Sequence, residues 1–247
     1  MQMKTEIISL DDLYSLENPK RWISNQIRKC NIIHVTNSID PNYILKIINY
    51  LTKLMTSTLP NYHPLITGAP NFYRINFDDP RSHVKAFFHQ FNFFEWNQDL
   101  FEIFNHLGFL FQLKAWSNWE CVDYSGTIKR ISFQFYPSGR GYMNMHKDPV
   151  GKHQAGVVSV VMSGFHKDYN TGGFFIEYDE EVRIYPEQNC EVGDILIFNG
   201  SLAHGVETID AEEVYKPLGF DGRWMSLIAV TKDAENQAIS NSVDLQK

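Results

Sequence analysis

The chain has 247 residues, 43% hydrophobic and 21% charged, with no low-complexity tract, a composition that suits a globular protein with a substantial core. A formal net charge of −7, with no basic run longer than "IKR", argues against a nucleic-acid partner, because phosphate neutralisation needs clustered Lys and Arg. Three Cys without a CxxC spacing, no apolar run of membrane-spanning length and an N-terminus broken by Glu6, Asp11 and Asp12 predict a cytoplasmic protein with no membrane partner.

The first half reads as helical. Residues 40–57, "DPNYILKIINYLTKLMTS", carry apolar residues at helical spacing behind Asp40 as N-cap and Pro41 at the first helical position. The stretch that follows, to residue 82, is interrupted by Pro and has no period, which predicts a long loop. Residues 83–114 read as a second helical region whose Phe-rich face packs into the core. From residue 130 the pattern changes to short strands: "ISFQFYP", "YMNMHKD", "AGVVSVVMS", "GGFFIEYDE", "EVRIYP", "GDILIFN", "HGVETI" and "RWMSLIAV". Eight such strands between Gly- and Pro-containing turns predict a jelly roll or barrel. The expected fold is therefore mainly β with flanking helices: a double-stranded β-helix (jelly roll, cupin-like) with an α-helical N-terminal half packed on it. The whole chain, 1–247, is expected to form one domain, with helical support and substrate-side segments over 1–125, the jelly-roll core over 126–232 and a polar, mobile tail over 233–247.

His146 and Asp148 fall at a strand end, where residues two apart face the same side. His204, just beyond "GDILIF", is the natural third partner. Two His and one carboxylate on one face of an octahedral ion leave three positions open, which suits non-haem Fe(II); a tetrahedral zinc site with the same ligands is the alternative. Arg223 opens the last strand, where a planar guanidinium can grip a carboxylate through two parallel hydrogen bonds. Arg130 and Arg140 are the other candidates for that anchor. His153 is the nearest decoy ligand, and His34, His63, His83, His89, His106 and His166 read as surface or packing residues. Asp168 and Asp194 read as turn residues.

With His146-x-Asp148, the distal His204 and Arg223 in that order, and "YPSGRGYMNMHKD" as the approach, the chain resembles the Fe(II)/2-oxoglutarate-dependent dioxygenases, among them the prolyl-4-hydroxylase-like and phytanoyl-hydroxylase-like members. The resemblance covers about residues 130–231. It implies Fe(II) held by His146, Asp148 and His204, with 2-oxoglutarate and O2 as co-substrates. Arg223 would hold the far carboxylate of 2-oxoglutarate, with Tyr136 and Ser226 as further contacts. The implied reaction hydroxylates an unactivated C–H bond and releases succinate and CO2. The aromatic and Arg content of "NFYRINFDDPRSH" points to a small-molecule substrate with an apolar body and an anionic group, an amino-acid-like metabolite or natural-product intermediate, acted on by a monomer or homodimer. Two other readings use the same barrel: a non-catalytic cupin-like module that binds metal or ligand, and a metal-dependent enzyme that makes no use of 2-oxoglutarate. The segment 209–222, "IDAEEVYKPLGFDG", is a candidate lid through Tyr215, Leu218 and Phe220.

Overall fold

Thirteen strands join in one sheet in the computed structural model, which describes residues 3–77, 83–97, 99, 101–118, 126–150, 154–178, 182–232 and 243–245. In chain order the elements are β1 (Thr5–Ser9), α1 (Leu10–Ser15), α2 (Pro19–Arg28), β2 (Ile32–Thr36), α3 (Pro41–Ser57), β3 (Phe72–Phe77), β4 (Ala86–Phe94), α4 (Ile103–His106) and α5 (Phe109–Trp116). There follow β5 (Thr127–Pro137), β6 (Tyr142–Lys147), β7 (Gly156–Val161), β8 (Gly173–Tyr178), β9 (Val182–Ile184), a 3-10 turn (Pro186–Asn189), β10 (Ile195–Asn199), β11 (Ala203–Glu207), β12 (Gly222–Lys232) and β13 (Val243–Asp244). Their spatial order is β1-β2-β10-β7-β12-β5-β4-β6-β11-β8-β9, with β3 beside β4 and β13 beside β6.

The long pair β5–β12 sorts the molecule into two sides. Every second residue of a strand faces the same way. Ile131, Phe133 and Phe135 of β5 and Trp224, Ile228 and Val230 of β12 enter the main core, where they meet Leu13, Ile23 and Ile27 from α1 and α2 and Ile44, Ile47 and Leu51 from α3. Each such side chain contributes roughly 1.5–3 kcal/mol by leaving water. The intervening residues, Arg130, Gln134 and Tyr136 on β5 and Arg223, Met225 and Leu227 on β12, line a cavity on the opposite face. The helical layer thus backs one wall and leaves its other face for chemistry.

Local signals explain the helices. Asn18 caps α2 by accepting from the Arg21 amide, with Pro19 at the first position, and Asp40 caps α3 by accepting from the Asn42 amide. Helix α3 spans the residues that its spacing predicts. The β-rich part also follows the pattern of the sequence.

The helical N-terminal half needs correction. Residues 86–94 of the expected second helical region form β4, which pairs with β3, β5 and β6. All nine residues of β4 are buried, so neither side faces water and the Phe-rich run carries no apolar-in, polar-out period of two. Helix remains only in α4 and α5. The expected loop before residue 82 contains β3, and β1 and β2 form a parallel pair that extends the sheet through β10. The proposed polar tail falls mostly outside the described residues, but Val243–Asp244 forms β13, with Asp244 opposite His146 in register. The Asp244 carboxylate accepts from the Lys85 amide at 3.1 Å and from Asn144 Nδ2 at 3.2 Å, which fixes this segment. No helix among the described residues is long and apolar enough to cross a membrane.

Candidate metal centre

His146 lies on β6 and His204 on β11, and the two are directly opposite in the antiparallel register. Their rings stand 4.3 Å apart, centroid to centroid. Asp148 follows β6 and reaches between them: its Oδ1 is 3.6 Å from His146 Nε2 and its Oδ2 is 3.7 Å from His204 Nε2. One ligand atom from each of the three lies within 4.8 Å of the others. The outer ring nitrogens face backbone carbonyls, His146 Nδ1 at 2.9 Å from Asn144 O and His204 Nδ1 at 2.9 Å from Leu202 O. A carbonyl only accepts, so each Nδ1 carries the proton and each Nε2 turns its lone pair inward. Burial, reinforced by His146 and opposed by Asp148, pushes the His204 imidazole down to about 4, so it is neutral at pH 7.

A relay of backbone bonds holds Asp148 in place. Its amide donates to Gly200 O, and the Gly200 amide donates to Ala155 O, both at 2.9 Å. The Ala155 amide in turn donates to Asn118 Oδ1 at 2.9 Å. The buried Lys114 of α5 donates to Gly156 O at 2.6 Å, and burial lowers its ammonium to about 8. Helix α5 therefore anchors the segment on which Asp148 rests.

The triad opens into a cavity of about 370 Å³. Arg223 lies at one end of its strand wall, opposite Tyr136 in the β5–β12 register. Gly222, with φ +141°, lets β12 begin there: a Cβ at this position would come within 2.3 Å of Tyr136 O. Arg223 is 1% exposed and forms a two-pronged pair with Glu187 of the 3-10 turn, Nε to Oε2 at 2.6 Å and Nη2 to Oε1 at 2.5 Å. Burial alone would lower the guanidinium pKa; the Glu187 carboxylate outweighs it and holds Arg223 charged. Its Nη1 is buried with no acceptor. The Tyr136 hydroxyl donates to Gln134 Oε1 at 2.6 Å, and burial raises its pKa, so it is a neutral phenol.

The other expected site residues separate clearly. Ser226 faces the same side as Trp224, away from the cavity, and its hydroxyl has no partner there, so the structure does not place it as a contact to a cavity ligand. Arg130 lines the cavity, whereas Arg140 stacks over Phe77 and Phe87, 4.4 and 4.7 Å from their ring centres. His83 also lines the cavity. His153 lies outside the described residues. Of the lid candidates, Tyr215 packs edge-on against Phe87, Leu218 and Phe220 are exposed, and none of the three lines the cavity. The segment is pinned instead at its start, where Asp210 accepts from the amides of Asn170 and Thr171 and from Ser138 Oγ.

Glu187 is the residue that sequence reasoning missed. Nothing in "PEQN" distinguishes a buried counter-ion from a surface turn. A second grouping, His34, Cys190 and Asp194, also escaped it. There His34 Nε2 sits 2.7 Å from Asp194 Oδ2, and the Asp194 carboxylate also accepts from the amides of Asn37 and Glu191. Those bonds fill the carboxylate and make this cluster a clasp between β2 and the turn before β10.

No protein-family model matches the chain, and no curated protein sequence is measurably similar to it. Solved structures share its fold. A prolyl hydroxylase from Trichoplax adhaerens, in complex with a hypoxia inducible factor oxygen degradation domain peptide fragment, superposes with a TM-score of 0.56 at 13% identity, covering 94% of this chain and 97% of that one. A prolyl-4-hydroxylase from Pseudomonas putida gives 0.54 at 10% identity, over 86% of this chain and 98% of that one. An oxidoreductase of the 2OG-Fe(II) oxygenase family from Burkholderia pseudomallei gives 0.51 at 10% identity, over 99% and 98%.

Proposed function

We propose that the chain is a non-haem Fe(II)- and 2-oxoglutarate-dependent dioxygenase, built on a double-stranded β-helix, that hydroxylates an unactivated C–H bond of a small metabolite. The observation that carries this reading is the convergence of His146, Asp148 and His204 at a cavity whose wall also carries Arg223. The shared fold with 2OG-Fe(II) oxygenases supports it.

The donor set fits Fe(II). Two imidazoles and one carboxylate on one face leave sites open for further ligands, and no thiolate competes among them. The far end fits a carboxylate: Arg223 Nη1 is a buried donor lacking an acceptor, and Tyr136 stands directly opposite. When bound, Fe(II) would supply the redox chemistry that couples 2-oxoglutarate decarboxylation to attack by O2. The chain's own residues hold and aim. The Asn144 and Leu202 carbonyls fix both His rings, Gly200 fixes Asp148, and Glu187 fixes the plane of the Arg223 guanidinium. Phe174 and Phe198 pack against His204, with ring centres 6.2 and 5.0 Å away, and keep water from that side. The substrate would be an amino-acid-like molecule or natural-product intermediate, handled in the cytoplasm by a single-domain monomer or homodimer.

One observation favours a second reading, a metal-dependent enzyme on this fold that does not use 2-oxoglutarate: Glu187 already balances the charge of Arg223. A single assay separates the two. Purified protein with Fe(II) and O2 should convert 2-oxoglutarate to succinate, and Arg223→Ala should raise the 2-oxoglutarate requirement strongly. Metal binding without any succinate from the wild type would favour the second reading.

A further inference from the structure

Arg130 is a second guanidinium in the same cavity, and its surroundings differ from those of Arg223. It is 8% exposed, and among the described residues it forms no ion pair with a carboxylate. Its Nη1 donates to Asn92 Oδ1 at 2.6 Å, while its Nε and the neighbouring Asn92 Nδ2 are both buried donors with no acceptor. Arg74 lines the cavity as well, its Nε donating to Gln90 Oε1 at 2.6 Å. Asp148 is the only carboxylate among the described lining residues, and it belongs to the metal triad. Burial first, and then the like charge of Arg74, lowers the Arg130 pKa to about 9. A buried cation with unfilled donors and a cationic neighbour is costly to maintain alone. An anion would relieve both deficits at once.

Register shows where that anion would sit. Arg130 faces Ala229 on β12, and Leu227, two residues earlier on β12, faces Ser159 on β7. Carried two residues beyond that pairing, the same register puts Arg130 level with Val157. A Cβ built on Gly200 would lie 3.4 Å from Val157 Cγ2 and 3.3 Å from Asp148 Cβ, so this level is that of the metal triad. Arg223 lies six positions away from Ala229 along β12, about 20 Å of strand. By strand level, one guanidinium is placed toward the triad and the other toward the far end of the wall.

We infer that Arg130 is the receptor for a carboxylate on the prime substrate, distinct from the co-substrate anchor at Arg223, so that the substrate is a small carboxylic acid held at the level of the metal. This rests on the Fe(II)/2-oxoglutarate reading above. It disfavours an internal residue of a peptide chain as substrate, because such a residue brings no charge of its own to Arg130. The cavity's size and its apolar lining by Val84, Phe88, Val157 and Leu227 suit a compact apolar body attached to the acid group.

Calorimetric titration of the full chain loaded with Mn(II) tests this with two sets of measurements. The first titrates 2-oxoglutarate into wild type, Arg130→Met and Arg223→Met. The second titrates 3-phenylpropionate and its uncharged amide, 3-phenylpropanamide, into the 2-oxoglutarate-bound proteins. Arg130→Met should bind 2-oxoglutarate within about twofold of wild type but 3-phenylpropionate about ten- to a hundredfold more weakly, as expected for loss of a charged hydrogen-bonding partner. The amide should bind poorly to both proteins. The inference is overturned if Arg130→Met loses 2-oxoglutarate instead, if acid and amide bind wild type alike, or if neither binds. Should Arg130→Met fail to fold, Arg130→Lys replaces it: a retained preference for acid over amide at reduced affinity supports the inference, and affinity unchanged from wild type overturns it. A wild type that binds no 2-oxoglutarate sinks the co-substrate reading alone, since titration of the Mn(II) protein without 2-oxoglutarate still decides the carboxylate receptor.

Discussion

Arg223 and Glu187 meet through two parallel hydrogen bonds, 2.6 and 2.5 Å long, and neither side chain has appreciable contact with water. The charges are closely matched, so removing one strands the other in a low-dielectric site. Glu187→Leu and Arg223→Met should each cost about 3–5 kcal/mol of stability, while the double variant Arg223→Met/Glu187→Leu should recover most of that loss. Urea unfolding of the four proteins of this cycle measures the coupling. A single Glu187→Leu variant that loses less than about 1 kcal/mol would show that the pair is not the buried ion pair described above.

The metal triad should behave differently, because its three side chains line a cavity and are not part of the packed core. His146→Ala, Asp148→Ala and His204→Ala should each weaken Fe(II) binding by more than the ~10- to 100-fold typical of losing an outer partner, and should abolish succinate formation. Melting temperatures without metal should stay within a few degrees of wild type. Retention of Fe(II) affinity by any one of the three would remove that residue from the ligand set.

Gly222 tests how the start of β12 is placed. A Cβ there meets Tyr136 O at 2.3 Å, and φ +141° is a conformation other residues avoid. Gly222→Ala should therefore cost about 1–3 kcal/mol and displace Arg223 from its register with Tyr136. A drop in the denaturation midpoint together with weaker 2-oxoglutarate binding is the expected pattern. A variant as stable as wild type would mean that the strand adjusts freely.

His89 should give the fold an acid-sensitive element outside the metal centre. It accepts a hydrogen bond from the Tyr73 hydroxyl at 2.6 Å, and burial pushes its imidazole down to about 4. Between about 4 and the unfolded value near 6.5 the unfolded chain binds the extra proton, so stability falls as pH drops through that window and the contribution is gone below about 4. His89→Gln, which retains an acceptor but cannot titrate, should flatten the stability profile between pH 6.5 and 4. An unchanged slope would place the acid sensitivity elsewhere.

Much of the β-rich half and the convergence of His146, Asp148 and His204 were legible because their signals are local. A strand brings residues 146 and 148 to one side by its own geometry, and the turns around "GDILIF" mark where His204 must emerge. What escaped depends on partners far away in sequence. β4 is buried on both faces, with Phe91 and Phe93 in the main core and Phe88 at the cavity, and a buried Phe-rich run does not distinguish that strand from a buried helix. Glu187 is a turn residue until Arg223 is placed beside it. Ser226 and Arg130 both sit on strands of the same pair, yet only the register decides that one faces the core and the other the cavity.

The β5–β12 pair also bears on the order in which the protein assembles. Its eleven facing positions join residues between 85 apart, Pro137 with Gly222, and 105 apart, Thr127 with Lys232. Such distant pairing makes for slow folding, since the chain must close a long loop before those contacts reward it. The wall that carries Arg130, Tyr136 and Arg223 should then be completed late, so that a metal would meet the finished cavity only at the end of folding. Iron would enter a finished protein and not template one. Stopped-flow refolding in the millisecond-to-second range, with the same rate in the presence and absence of Mn(II), is the expected result; a rate that rises with metal would place the triad in the folding nucleus.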